Sequence, residues 1–449
     1  MAVPSTRRSP KLALFGGPRS VTRDPGDLFD WPIITTEEEE AVLDVLRRRA
    51  MSGQDVTMKF EQEFAAWQGS RYALGYSTGT AAIQAAMYAC GVGVGDEIVC
   101  QSLTYWASAL QCFSLGATVV FAEVDPRTLC LDPADLERRI SDRTKAIVVV
   151  HYLGHPADMD PILEIARRRR IRVIEDVSHA QGALYKGRKV GTIGDIGAMS
   201  LMSGKSLAVG EAGMLTTDDR GLYERAIAFG HYERFDESIE SPELRPYLGL
   251  PLGGYKYRMH QMSSAVGRVQ LRHYDGRMAE IQRAMNYFWD GLEGTPGLIP
   301  HRPAQGSGST MGGWYAAHGI LDPDALGGLS ASRFCEALRA EGVEVAAPGC
   351  NRPLHLHPLF NECDVYGHGK PTRIANACRD VRQPPGSLPV TERMITRIYW
   401  IPWFKHFRPE LIDQYIEAYR KAALAHQDLL PGDAGDPPSV GGWHFFAHR

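Results

Sequence analysis

Between residues 70 and 217 short β-rich runs alternate with helical ones, and several of the β-rich runs are apolar almost from end to end. "TVVFAEV" (118–124) and "KAIVVVHYL" (145–153) are the clearest. A strand with one wet face alternates polar and apolar residues, whereas an uninterrupted apolar strand is covered on both faces. "EIVCQS" (97–102), "RVIEDV" (172–177), "GAMSLM" (197–202) and "GMLTT" (213–217) complete the predicted set. Between them lie "GTAAIQAAMYAC" (79–90), "YWASALQCFSLG" (105–116), "DPADLERRI" (132–140) and "DMDPILEIARRRR" (158–170), all read as helical. Strand and helix in alternation predict an α/β fold with a mainly parallel sheet and right-handed crossovers.

Outside this stretch the rhythm changes. Residues 1–30 are rich in Pro, Gly and charge and read as an N-terminal arm, mobile or draped on the surface. "TEEEEAVLDVLRRR" (36–49) has a Thr cap, an acidic start and a basic end, so it reads as a helix with Glu37–Glu40 on its solvated face. The large α/β unit is placed at 31–260. A long helical stretch over 259–292 opens a smaller α+β unit at 261–427, which includes a Gly-rich section at 302–313. Residues 428–449 read as an irregular tail whose aromatic cluster is available to dock.

Bulk charge narrows the function. The net charge is −4, with 44% hydrophobic and 23% charged residues, which favours neither nucleic acid nor an anionic membrane. The basic run at 166–172 closes a helix, where cations suit the dipole and solvent. Eight cysteines show no C-x-x-C pair and read as buried, reduced thiols, with no zinc site. The opening stretch lacks the apolar core of a signal peptide, and no segment reaches the roughly 18 apolar residues of a membrane span. The expectation is a soluble, cytoplasmic protein.

Two motif matches fail. "SGKS" (203–206) has Met199 where a P-loop needs glycine, and "GVGVGDE" (91–97) precedes a strand instead of following one. More informative is what collects beyond the carboxyl ends of the strands, where open α/β sheets bind ligands. Asp176 follows "RVIE", Ser200 and Lys205 follow "IGAM", and Tyr105 and Trp106 follow "EIVCQSLT". In "YSTGTAAIQAAM" (76–87) small residues run into a helix start, where the N–H groups of Gly79 and Thr80 either hold a phosphate or belong to an ordinary cap. An acid, a lysine, an aromatic plate and a phosphate cradle on one edge suit pyridoxal 5′-phosphate. Lysine condenses with its aldehyde as a Schiff base, which requires a depressed pKa, and aspartate keeps its ring nitrogen protonated.

The sequence also resembles the DegT/DnrJ/StrS-type sugar and aminocyclitol aminotransferases, which are fold-type I pyridoxal phosphate enzymes. "WPIITTEEEEAVLDVL", "FEQEFAAWQGSRYALGYSTGTAAIQAAM", "IEDVSHAQGALYKGRKVGTIGDIGAMSLMSGKSLAVGEAGML", "GGYKYRMHQMSSAVGRVQL" and "RPLHLHPLF" carry the resemblance, which spans about 30 to 425. It implies an aspartate aminotransferase-like fold and a homodimer. Lys205 would be the Schiff-base lysine, Asp176 the pyridinium partner, and His179 a neighbour of the ring and its phenolic oxygen. Tyr105 would stack on the ring, and Gly79, Thr80 and Ser200 would hold the phosphate.

Lys256, where the family usually has Asn, would reach the phosphate of the partner subunit as a point charge. Tyr257, Arg258 and His355 fall near substrate or amino donor. His355 and His357 alternate as on a strand, so one of them would face the site; no metal is implied. The implied reaction loads the cofactor from glutamate or glutamine as pyridoxamine 5′-phosphate. The amine then passes to a keto-sugar, nucleotide-linked in many members, or to a keto-cyclitol of the inosose type, as in amino-sugar and antibiotic biosynthesis. A dehydratase or lyase on this scaffold usually lacks the lysine. A non-catalytic pyridoxal phosphate-binding regulator would share the fold.

Overall fold

A computed structural model describes residues 11–234 and 238–443. Nine strands occupy the first half of the chain: β1 (Tyr72–Tyr76), β2 (Glu97–Gln101), β3 (Thr118–Ala122), β4 (Thr144–Val150), β5 (Arg172–Asp176), β6 (Leu184–Tyr185), β7 (Arg188–Lys189), β8 (Ile196–Ser200) and β9 (Gly213–Thr217). Seven of them form one sheet in the order β1-β9-β8-β5-β4-β2-β3, with β6 and β7 as a separate hairpin. β3, β2, β4, β5 and β8 run parallel, and β9 is antiparallel to both its neighbours, β8 and β1. The fold is the mainly parallel α/β arrangement expected. β2, β3 and β9 are buried along their whole length, as strands covered on both faces must be.

Helices α1 (Thr36–Arg47), α2 (Asp55–Gln68), α3 (Gly79–Ala89), α4 (Pro133–Arg139), α5 (Met159–Arg169) and α6 (Arg220–Gly230) accompany the sheet. A 31-residue helix, α7 (Gln261–Gly291), leads to an antiparallel sheet of β10 (Leu298–Pro300), β11 (His318–Leu321) and β12 (Ile398–Trp400). Helices α8 (Ala331–Ala340) and α9 (Pro409–Leu424) pack beside it. Two apolar cores result, and α7 serves both: Leu271 and Tyr274 enter the first, while Ile281, Phe288 and Trp289 enter the second.

Several local readings are corrected. Residues 105–116 are not one helix but two short 3₁₀ turns, Trp106–Ser108 and Leu110–Leu115, because Ala109 between them leaves helical geometry at φ −124°. Glu38 is buried, not solvated: it closes a capping box with Thr35 and accepts from Gln270 Nε2 at 2.8 Å. Cys363 and Cys378 are exposed, whereas the other six cysteines are buried and all eight are free thiols.

The arm is pinned. Leu12 and Leu28 are fully buried in the second core, which stabilises the docked arm by roughly 1.5–3 kcal/mol each. Glu341, buried against the Lys421 ammonium at 2.9 Å, accepts from the Ala13 N–H at 2.7 Å and from the Ser20 hydroxyl at 2.9 Å. Among the described residues no helix is long and apolar enough to cross a membrane.

Candidate active site

Side chains alternate across a strand, so Glu175 and Asp176 at the end of β5 part company. The Glu175 carboxylate turns inward. It accepts from the N–H groups of Gly191, Ile193 and Gly194 at 2.6–2.8 Å and faces His151 Nε2 at 2.9 Å. Asp176 points the other way, also buried, and accepts from the Ser108 hydroxyl at 2.7 Å and the Ser178 N–H at 3.0 Å. The first acid anchors the strand end; the second is presented at the sheet edge.

Lys205 lies in the loop joining β8 to β9. That loop is tied by Ser203 N–H to the Gly210 carbonyl at 2.7 Å and Lys205 N–H to the Met202 carbonyl at 2.8 Å. From outside, the Trp31 indole N–H donates to the Lys205 carbonyl at 2.9 Å. The Lys205 amine is buried, 3.9 Å from the centroid of the Tyr315 ring. Burial pulls its pKa down to about 7, and the charge of Asp176 partly opposes that fall. A lysine in this state has a neutral, nucleophilic fraction at ordinary pH.

His179 is buried close by, its ring centroid 5.0 Å from that of Tyr315. Its Nδ1 accepts the Leu153 N–H at 3.3 Å, which leaves the proton on Nε2. Burial, then the charge of Lys205, hold it neutral, with its pKa well below the usual histidine range.

The start of α3 abuts this edge. Thr78 caps it, its hydroxyl accepting from Ala81 N–H and its carbonyl from Ala82 N–H, which leaves the N–H groups of Gly79 and Thr80 without a partner among the described residues. Gly79 lies so close to β8 that a Cβ there would stand 2.6 Å from Ser200 Cα and Cβ. Glycine is thus required where helix start and Ser200 meet. Tyr105 is half-buried beside Trp106, ring centroids 4.9 Å apart, and burial raises its phenol pKa. Buried lysine, presented acid, neutral histidine and unpaired helix-start N–H groups fit the aldehyde, ring and phosphate of pyridoxal phosphate.

The stretch that carries Lys256, Tyr257 and Arg258 runs beside the end of β1, where the Ser77 N–H donates to the Tyr257 carbonyl at 2.7 Å. Tyr257 donates its hydroxyl to Gln84, Arg258 lies 3.7 Å from Glu233, and the Lys256 ammonium sits 5.9 Å from the Tyr232 ring centroid. Within one chain, none of these three makes a hydrogen bond or ion pair with Lys205, Asp176 or His179 among the described residues. His355 is a correction. It lies in a 3₁₀ turn, Leu354–Leu356, not on a strand, and both its nitrogens are engaged: Nδ1 with the Ser102 hydroxyl at 2.7 Å and Nε2 with Glu392 at 3.0 Å. Ser102 is fully buried, so this Ser-His-Glu chain offers no nucleophile and fastens the turn to the end of β2. His357 caps the following short helix by accepting from Leu359 N–H.

Other residues at the site are not singled out in the sequence. Gln181 ties the pieces together, donating to the Ser200 carbonyl at 2.7 Å and accepting from the Ser206 hydroxyl at 2.9 Å. Tyr315 is set against Lys205 by Trp314 (φ 57°) and Ala316 (φ 54°), two non-glycine residues in the left-handed region. Such backbone costs about 1–2 kcal/mol per residue and persists where the surroundings fix it. Trp403 supplies the constraint: its ring meets Tyr315 edge-on at 5.9 Å, and its indole N–H donates to the Gly313 carbonyl at 3.0 Å. No group of His, Cys, Asp and Glu among the described residues is arranged to hold a metal ion.

Comparison with known proteins bears directly on this geometry. The profile of the DegT/DnrJ/EryC1/StrS aminotransferase family matches residues 32–420. The chain belongs to that family. It is a pyridoxal phosphate-dependent aminotransferase of fold type I. It is 40% identical over 343 residues to GDP-perosamine synthase of Caulobacter vibrioides, covering 76% of this chain and 87% of that one. It is 36% identical to L-glutamine:scyllo-inosose aminotransferase of Streptomyces griseus, covering 78% of this chain and 82% of that one. The crystal structure of an aminotransferase from Psychrobacter cryohalolentis superposes with a TM-score of 0.74 at 30% identity, over 87% of this chain and 97% of that one.

Proposed function

We propose that this aminotransferase moves an amino group from glutamate or glutamine to the ketone of a polyhydroxylated six-membered ring, a keto-sugar in the first reading. The observation that carries the site assignment is the meeting of buried Lys205 and buried Asp176 at one sheet edge, beside the α3 start that packs on Ser200.

In this reading Lys205 carries the cofactor. Asp176 holds a proton at its ring nitrogen, and Ser108 and the Ser178 N–H orient that carboxylate. Gly79, Thr80 and Ser200 take the phosphate, with Lys256 of the partner subunit adding a positive charge in a homodimer. Tyr105 and His179 flank the ring. Pyridoxal phosphate, when bound, supplies the aldehyde that accepts and passes on the amine and the ring that delocalises electrons. The Lys205 amine, neutral in part at pH 7 because it is desolvated, would carry the proton between the substrate carbon and the cofactor's aldehyde carbon. Tyr315 lies over that amine and limits water, while Trp31 of the arm holds the Lys205 carbonyl.

Similarity to the scyllo-inosose enzyme supports a second reading, a free keto-cyclitol acceptor. Acceptors decide between them. The protein, loaded with amine from glutamate or glutamine, is offered nucleotide-linked keto-sugars and inososes in parallel. Return of the cofactor absorbance to the aldehyde form with the first class alone supports the keto-sugar, and with the second alone the cyclitol. Failure of both while the amine loads normally refutes the six-membered-ring acceptor.

A further inference from the structure

A cavity of about 880 Å³ borders the Lys205 loop at Ser203 and Gly204. Its walls come from distant stretches: the arm from Arg19 to Pro32, Tyr315–Ala317, the turn carrying Gly342, Glu344 and Val345, Trp400–Lys405, and Tyr415. The matched family profile begins at residue 32, so most of the arm's contribution lies outside it. The volume is in the range of roughly 300–1,000 Å³ that suits a small organic ligand.

The chemistry of the wall is uneven. Trp31, Trp400, Trp403 and Tyr315 make it largely aromatic. Into this surface projects the half-buried Lys405 ammonium, 3.9 Å from the centroid of the Trp403 ring; the other cations on the wall, Arg19 and Arg23, are exposed, and Arg23 pairs with Glu410. Among the described residues it has no ion pair, and burial alone pulls its pKa down to about 7. Glu344, the sole carboxylate on the wall, is exposed. Holding a cation out of water without a counter-charge is costly, and an arriving anion removes that cost. A run of ring contacts joins this cation to the reactive lysine: Lys405 to Trp403 at 3.9 Å, Trp403 to Tyr315 at 5.9 Å, and Tyr315 to Lys205 at 3.9 Å.

We propose that this cavity is an anion subsite, in which Lys405 receives the carboxylate or phosphate of a molecule whose reacting end meets Lys205. The inference rests on the aminotransferase site assigned above. The shared chemistry is an organic anion with an apolar or ring body to lie on the tryptophans. Two sources qualify: the carboxylate of the amino donor and the phosphate of a nucleotide-linked acceptor.

The test is an equilibrium one, with calorimetric titration of the holoenzyme by glutarate in one arm and by uridine and guanosine diphosphates in the other. Wild-type protein is expected to bind at least one class. Lys405→Met should weaken that binding about tenfold or more, while Lys405→Arg, which keeps the charge, should retain it. The class that responds identifies the source. Lys405→Gln replaces Lys405→Met should thermal melting show the latter unfolded. No binding of either class, or binding unchanged without the lysine charge, overturns the proposal. Covalent trapping of the cofactor on Lys205 in the same samples reads the main site independently, so failure of one assignment is distinguishable from failure of the other.

Discussion

Burial pulls Lys205 and Lys405 to nearly the same pKa, about 7, yet the two lysines stand in unlike surroundings. Lys205 is held in a loop of small residues at the edge of a parallel sheet and feels the charge of Asp176. Lys405 follows β12 on the second core, lies on the face of Trp403 and has no acid acting on it. A depressed pKa alone therefore does not mark a reactive amine. The surroundings do: in the proposed reading, a presented carboxylate and a helix start make one lysine the centre of a cofactor site, and an aromatic wall makes the other a receiver of charge.

The largest effect should come from breaking the first setting. Asp176→Asn removes the buried acid presented at the edge, and transamination should fall by several orders of magnitude, the scale seen when a preorganised charge is lost. Cofactor content, which the proposed phosphate contacts of Gly79, Thr80 and Ser200 would maintain, should stay near wild type by absorbance. Near-normal turnover would remove Asp176 from the site.

A smaller effect adds a third setting to the comparison. The Lys256 ammonium lies near Tyr232 in its own chain, and its proposed role is in the partner subunit's site. Lys205→Ala and Lys256→Ala homodimers should each be inactive or weak. Mixed by unfolding and refolding, they should form heterodimers with one intact site, restoring roughly a quarter of wild-type sites by two-fold symmetry. No recovery despite demonstrated heterodimers would confine the loop to its own chain.

The smallest effect is a titration that reads both lysines at once. In the cofactor-free protein, acylation by a small reagent should rise through pH 7 at Lys205 and at Lys405, because burial holds both well below the usual lysine value of 10.5. The sign carries over to stability. The unfolded chain binds more protons than the folded one between about pH 7 and about 10.4, so each lysine makes stability rise with pH across that window. Replacing either by Met should flatten the rise. Labelling of Lys205 in step with surface lysines, near pH 10, would contradict its burial.

The contrast between the two settings also explains what could be read from the sequence. Asp176, Ser200 and Gly79 were legible because each sits where a strand ends or a helix begins, and Lys205 because it lies in the short small-residue loop just past β8; those are local signals. Gln181 was within the same motif but carries no charge to draw attention. Tyr315, Trp31 and Trp403 were illegible: they reach Lys205 from the Gly-rich segment, the arm and the C-terminal unit, and no spacing links them. Strand β1, "YALGY", escaped because its pairing with β9 joins residues far apart. The strand reading of "LHLHP" failed for a similar reason, since Ser102 and Glu392 hold His355 in a turn from two directions.

Borohydride trapping tests the central assignment most directly. The protein purified with pyridoxal phosphate should be yellow, and reduction should bleach it and fix the cofactor covalently on the peptide containing Lys205, leaving the peptide containing Lys405 unmodified. Cofactor fixed at Lys405 or another lysine, or at none, would contradict the account.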